Sequence, residues 1–178
     1  MKNVLIDTNV ILDFLMKREG FFEDARNVLA LGYNKCYTLY LSSLSFSNIA
    51  YIARKKYTGD ALYECFSEIR ELVNVSSVNE VEVDSAIKLR SKDFEDALQY
   101  YSAKSVKADY IITRNTKDFT YSDIKVLTPR EFTSLSLTTQ NCLLAVLVLY
   151  LFVQRISPYN QGSIRPPFIV AYRPLNVV

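Results

Sequence analysis

Short apolar runs alternate with segments whose apolar residues recur every three or four positions along most of the chain. The first pattern suits buried strands and the second amphipathic helices, so their order predicts βαβ units around a mostly parallel sheet. Strands are expected over 3–6, 37–41, 73–75, 109–113 and 124–127. The first helix should follow Asp7 and bury Val10, Ile11, Phe14 and Leu15; others are expected over 21–31, around Phe46, Ile49, Ala50 and Ala53, and over 59–72, 80–90 and 93–106. A last helix should open at Thr128-Pro129, with proline in its first turn. Polar clusters mark the joins, because Asp, Thr, Asn and Ser are favoured helix caps: Asp7-Thr8-Asn9, Ser42 to Ser45 and Ser77 to Glu80.

From about Thr133 the pattern changes. Residues 142–153 are almost entirely apolar, and the remaining C-terminal residues, with Pro158, Gly162, Pro166, Pro167 and Pro174, have no clear period. Twelve apolar residues fall short of the roughly 20 that a transmembrane helix needs, so no membrane span is expected and the stretch reads as a helix covering an apolar surface. The expected organisation is one α/β domain over 1–132 and an irregular C-terminal extension over 133–178.

Composition constrains the chemistry more than the fold. A length of 178 residues suits one domain with a full core. The net charge of +2 is too small to mark a nucleic-acid binder by bulk electrostatics, although Arg54, Lys55, Lys56, Arg114 and Lys117 offer local cations for a phosphate backbone. Histidine is absent, which removes imidazole catalysis and zinc sites with His ligands. Cys36, Cys65 and Cys142 are odd in number and widely spaced, so they suggest neither a disulfide framework nor a metal knuckle and fit a reducing cytoplasm. The apolar run before Asp7 is too short for a signal peptide. No glycine-rich phosphate loop supports a nucleotide site, as some other doubly wound α/β proteins would require.

Carboxylates are therefore the natural candidates for chemistry. Asp7 closes the run Val4-Leu5-Ile6, so a buried strand would deliver it to the carboxyl edge of the sheet, where such folds assemble ligand sites. Asp96 falls in the first turn of a helix whose apolar stripe is Phe94, Ala97, Leu98 and Tyr101, and Asp118 lies beyond the strand that ends near Thr113. Each acid taken singly also reads as a helix cap or a dipole partner. Asp13 is a weaker candidate.

Four segments together resemble the PIN-domain family, in particular toxins of the VapC type from bacterial toxin–antitoxin modules. They are Val4-Leu-Ile-Asp-Thr-Asn-Val-Ile-Leu-Asp13, Ser42-Ser-Leu-Ser-Phe-Ser-Asn-Ile-Ala-Tyr51, Asp96-Ala-Leu-Gln-Tyr-Tyr-Ser-Ala103 and Ala108-Asp-Tyr-Ile-Ile-Thr-Arg-Asn-Thr-Lys-Asp-Phe119, spread over roughly Met1 to Phe132. The resemblance implies a three-layer α/β/α PIN-like fold in which acids from these places gather around a divalent magnesium or manganese ion (Mg²⁺ or Mn²⁺) and drive RNA hydrolysis. It assigns Asp7 and Asp96 as metal-site acids; Asp118 is expected to complete the catalytic and metal set, with Thr8, Asn9, Asn48 and Asn115 in support. It also implies an RNA substrate, a small antitoxin partner and a homodimer. Where the family usually carries Glu this chain has Asn48, and where it usually carries Asp it has Asn115, with Asp118 three residues on. Amides are poorer Mg²⁺ ligands than carboxylates, so a weakened site in a PIN-like binding module is the alternative expectation.

Overall fold

The computed structural model describes residues 1–137. The apolar stretch 142–153 and the Pro-rich remainder lie outside the described residues. The elements in order are β1 (Lys2–Ile6), α1 (Thr8–Leu15), α2 (Phe22–Tyr33), β2 (Tyr37–Ser42), α3 (Ser43–Ala53), α4 (Asp60–Leu72), β3 (Asn74–Ser76), α5 (Glu80–Leu89), α6 (Phe94–Ser105), β4 (Tyr110–Ile112), a short 3-10 turn (Thr116–Phe119), β5 (Lys125–Leu127) and α7 (Pro129–Leu137).

All five strands pair in parallel, in the order β3-β2-β1-β4-β5. The first strand of the chain is thus the middle strand of the sheet. Successive side chains on a strand face opposite ways, and the two faces are covered by different helices. Val4 and Ile6, with Leu39, Leu41, Tyr110 and Ile112, pack against residues of α1 to α4 and α7. Leu5 and Ile111, with Tyr40 and Val126, pack against Tyr100 and Ala103 of α6 and against Phe119. Helices on both faces of one sheet make the three-layer α/β/α architecture, and the mostly parallel sheet proves wholly parallel among the described residues.

Buried on both faces, β1 has no polar alternation, and its three core residues Val4, Leu5 and Ile6 are fully buried. Burial of side chains of this size contributes about 1.5–3 kcal/mol each. Gly32 brings α2 flush against the sheet, because a Cβ there would collide with the Leu39 side chain. The helix that opens at Pro129 continues to Leu137, and Phe132 plugs the sheet edge with its ring 4.7 Å from Tyr37 and 5.6 Å from Tyr110. No described helix is long and apolar enough to cross a membrane.

The sheet order reverses between β1 and β4: β2 and β3 extend to one side of β1, β4 and β5 to the other. Connections leaving the two halves diverge there and open a crevice at the carboxyl ends of the strands. Asp7 is the residue at that position.

Candidate active site

Asp7 continues β1 by one residue, its backbone extended (φ −68°, ψ 149°) and its N–H donating to the Ile112 carbonyl at 2.9 Å. It occupies the N-cap position of α1, yet its side chain makes no capping hydrogen bond. The carboxylate instead accepts from Thr113 Oγ1 at 2.7 Å and from Asn9 Nδ2 at 3.3 Å, both on Oδ2. Strand register explains the first contact: Ile6 pairs with Ile112, so the next residues, Asp7 and Thr113, stand side by side. Only 3% exposed, the carboxylate is pushed above its ordinary pKa by burial, against the pull of the Thr113 hydroxyl and the Asn9 amide.

The start of α6 separates capping from chemistry in the same way. Asp93 is the cap, its Oδ1 accepting from the N–H groups of Glu95 at 2.8 Å and Asp96 at 3.3 Å. Asp96 is left with no capping duty. Burial pushes its pKa up to about 7, and the neighbouring charges of Asp7, Asp93, Asp118 and Glu95 add to the rise in that order. Asp118 projects from the 3-10 turn, exposed, while its neighbour Phe119 anchors the turn in the core. Acids from three separate segments thus share one electrostatic neighbourhood at the carboxyl edge of β1.

Around them lies a network of hydroxyls and amides. Thr8 Oγ1 donates to Ser45 Oγ at 2.8 Å, and Gln99 Nε2 donates to both hydroxyl oxygens at 3.0 Å. This ties α1, α3 and α6 together beside Asp7, and Gln99 Oε1 remains without a hydrogen-bond partner although buried. Asn48 on α3 donates through Nδ2 to Glu95 Oε1 at 2.6 Å. Asn115 acts through its backbone: its N–H donates to Thr113 Oγ1 and its carbonyl accepts from the Asp118 N–H, each at 3.1 Å. Those two bonds link the loop bearing Asp118 to the hydroxyl that holds Asp7.

The expected basic rim is dispersed. Arg114 turns inward, its Nη1 3.3 Å from Asp13 Oδ1, its Nη2 donating to Asn9 Oδ1 at 3.4 Å and its guanidinium 4.8 Å from the Phe21 ring centroid. Asp13, 1% exposed, is also paired with Arg18 at 3.1 Å, so this acid is structural. Arg54, Lys55 and Lys56 come after the last turn of α3, which starts at the acidic edge at Ser43; eleven residues at 1.5 Å each place them about 16 Å away along the helix axis. Lys56 Nζ and the Tyr57 hydroxyl both donate to the Leu15 carbonyl, at 3.0 and 2.8 Å, and Arg54 lies 3.9 Å over the Tyr51 ring. Of the five cations Lys117 is exposed and directly precedes Asp118 in the 3-10 turn, and Arg114 reaches the Asp7 edge through Asn9.

Thr113, Gln99 and Glu95 are members of this site that the sequence alone does not single out. Thr113 was within reach of a register argument, because two adjacent parallel strands ending in Asp and Thr present both side chains at one edge. Gln99 lies three residues after Asp96, on the same side of α6 as the acid and away from the apolar stripe, so spacing alone relates it to Asp96. Glu95 carries no such signal.

A family profile described as PIN domain matches residues 3–117, well over half of the chain. The chain belongs to the PIN domain family. The matched stretch contains Asp7, Asn48, Asp96 and Asn115 and stops one residue before Asp118. This PIN domain is similar in fold to VapBC2 from Rickettsia felis bound to a DNA fragment from its promoter, with 16% identity, a TM-score of 0.55 and coverage of 71% of this chain and 98% of that one. FitAB bound to an IR36 DNA fragment is similar at 21% identity and a TM-score of 0.54, covering 71% and 94%. VapBC-1 from nontypeable Haemophilus influenzae is similar at 20% identity and a TM-score of 0.55, covering 72% and 98%. No curated protein matches the chain.

The divalent ion that the resemblance implies can be tested against the side chains present. Among the described residues no three acids form a ready-made cage. Mg²⁺, however, keeps several waters and takes only one or two carboxylates directly, so a full protein cage is not its usual mode. The donors at the β1 edge are all oxygens, the acids repel one another enough to help lift Asp96 to about 7, and a cation between them relieves that repulsion. The donor set fits a hard divalent ion held partly through water.

Proposed function

We propose that this PIN domain is a Mg²⁺- or Mn²⁺-dependent endoribonuclease and the toxin component of a toxin–antitoxin pair. The observation that carries the reading is Asp7, free of a capping bond and held by Thr113 at 2.7 Å at the carboxyl edge of β1, beside the helix of Asp96 that Gln99 ties to Thr8. Acids brought together against their own repulsion, at the one edge where a doubly wound sheet offers a crevice, are what cation-assisted phosphodiester hydrolysis requires.

In this reading Asp7, Asp96 and Asp118 hold the ion. Such an ion would offset the phosphate charge and acidify a water for hydrolysis to a 5′-phosphate and a 3′-hydroxyl. The chain's own residues supply position. Thr113 and Asn9 fix the Asp7 carboxylate in direction, and the Thr8–Ser45–Gln99 network holds α1, α3 and α6 at a set separation. Asn48 and Asn115 support the acids by orienting Glu95 and the Asp118 loop. Lys117 is the cation best placed to meet the RNA backbone, with Arg54 and Lys55 reaching a longer strand. The likeness in fold to VapBC2, VapBC-1 and FitAB supports a small antitoxin as partner, and a homodimer is proposed with it. A reducing cytoplasm is the proposed location, where the thiols of Cys36 and Cys65 would stay reduced.

The test is cleavage of RNA by the full chain with and without Mn²⁺. Asp7→Ala should abolish the Mn²⁺-dependent cut, and a variant that cleaves at the wild-type rate would sink the assignment. A second reading, a PIN-like module that binds RNA or protein without cutting, is favoured by the amides Asn48 and Asn115 and by the lack of a ready-made acid cage among the described residues. Calorimetric titration separates the two, since a module of that kind takes up no Mn²⁺ at millimolar concentration.

A further inference from the structure

A cleft of about 360 Å³ is walled by Asp13 of α1, Phe21 before α2, Asp24 of α2, Arg114 after β4 and Arg130 of α7. Its volume is that of a site for a small ligand. Two hydrogen bonds connect it to the β1 edge: Arg114 Nη2 donates to Asn9 Oδ1 at 3.4 Å, and Asn9 Nδ2 donates to Asp7 Oδ2 at 3.3 Å. The charges of the lining cancel. Arg114 is paired with Asp13 at 3.3 Å, and Arg130 with Asp24, whose Oδ2 takes both Nε and Nη2 at 3.1 Å. Two cations each matched by an acid make no field that would draw in a phosphate.

The cleft offers a flat apolar face and polar groups beside it. Phe21 is 45% exposed, and the chain reaches it through Gly20 at φ +78°, a backbone conformation that a side chain would strain. The Arg114 guanidinium lies over one face of the ring, 4.8 Å from its centroid. The exposed side of the ring is left for a second planar group. Both contacts from Arg130 fall on one oxygen of Asp24, so the other oxygen takes none of them. Asp13, 1% exposed, likewise keeps Oδ2 without a hydrogen-bond partner. An aromatic face next to carboxylate acceptors and guanidinium donors suits a ligand that is planar, uncharged and polar along its edge.

We propose that this cleft receives one unstacked base of the RNA, next to the scissile phosphate, lying on Phe21 with its edge towards the Asp24–Arg130 pair. The inference rests on the reading of the Asp7 edge as a ribonuclease centre and adds to it that the substrate is single-stranded at this nucleotide. A base inside a duplex is stacked on both faces and cannot reach the ring, whereas single-stranded RNA is read by stacking on aromatic side chains and by hydrogen bonds to base edges.

The experiment follows a labelled single-stranded RNA of mixed sequence, its binding to the full chain by anisotropy in chelator and its cleavage in Mn²⁺. Phe21→Ala and Phe21→Leu alter an exposed residue and should melt close to wild type. Both should bind about tenfold or more weakly, the scale of one lost base stack, with the salt dependence of binding unchanged because no phosphate contact is removed. Phe21→Tyr keeps the ring and should bind as wild type does. Bases near the cut are then replaced one at a time by an abasic ribose. At one position wild type should lose the same factor as Phe21→Ala, and Phe21→Ala should lose nothing more, as expected for two changes that break one contact. If Phe21→Ala binds as tightly as wild type, or if its loss adds to that of every abasic position, the base site is overturned and cleavage at the Asp7 edge stands. If the wild-type chain neither binds nor cuts the RNA, both fall together.

Discussion

Thr113 Oγ1 lies 2.7 Å from Asp7 Oδ2, a hydrogen bond between side chains 106 positions apart that closes the carboxyl end of the two central strands. Thr113 is fully buried and also accepts from the Asn115 N–H, so one hydroxyl serves both the acid and the loop that carries Asp118. Thr113→Val keeps the volume and removes the donor. It should cost about 1–3 kcal/mol, the scale of a hydrogen bond to an ionised group, and raise the pKa of Asp7 further. Urea midpoints at pH 8, with an unchanged slope on denaturant, check the first; weaker Mn²⁺ uptake at fixed pH checks the second.

Asp96 sets a pH dependence. Its folded pKa, about 7, lies above the ordinary value, so the folded state holds this proton more tightly than the unfolded chain does. The stability it contributes is complete below about pH 4 and is lost as pH rises through 7. In chelator, the melting temperature should therefore fall from pH 5 to pH 8 by more in wild type than in Asp96→Asn. At pH 8 Asp96→Asn should be the more stable protein by about 1 kcal/mol after allowance for the partial exposure of the acid, a rise of roughly 2–4 °C for a chain of this size. Equal pH slopes in the two proteins would contradict this account.

Gln99 is the hub of the buried polar network, 1% exposed, with its amide on the hydroxyls of Thr8 and Ser45. Gln99→Leu leaves one Thr8–Ser45 bond and strips both hydroxyls of a second partner. The expected loss is about 1–3 kcal/mol, read by chemical denaturation. Mn²⁺ affinity should fall with it, because α6 and its two acids are no longer tied to α1.

Arg114 is paired with the buried Asp13. Removing it by Arg114→Ala leaves Asp13 buried with Arg18 alone and takes a cation from the Phe21 face. Breaking a fully buried pair costs about 3–5 kcal/mol; partial exposure of Arg114 reduces this to roughly 1–3 kcal/mol. Thermal melts measure it. RNA affinity of the folded variant should stay within about twofold, where loss of a phosphate contact would lower it together with its salt dependence.

The fold was largely legible because two periodicities and the capping residues agreed along the chain. The strand at Val4–Ile6, the helix faces at Val10–Leu15 and the proline start at Pro129 all appear where the pattern puts them. The acids were legible as positions and not as roles. Asp7 and Asp96 each sit at or beside a cap position, and only the structure shows that Asp7 makes no capping bond and that Asp93 caps α6. Arg114 and Lys56 were legible as cations and not as partners of other residues, for a different reason. A cation's partner is set by tertiary contact, and neither the burial of Asp13 nor the proximity of the Leu15 carbonyl is written locally. Glu95 was invisible because its partner Asn48 belongs to another helix.

The place of β1 has a consequence for synthesis. β1 leaves the ribosome before β4 and cannot be paired on both sides until β4, residues 110–112, has also emerged, and contacts between such distant positions form late because a long loop must close first. Asp7 therefore stays unpaired with Thr113 until nearly the whole domain is made. A chain arrested anywhere before Thr113 should carry no assembled cluster of acids, so the order of strands acts as a timer that delays the site until the domain is nearly complete.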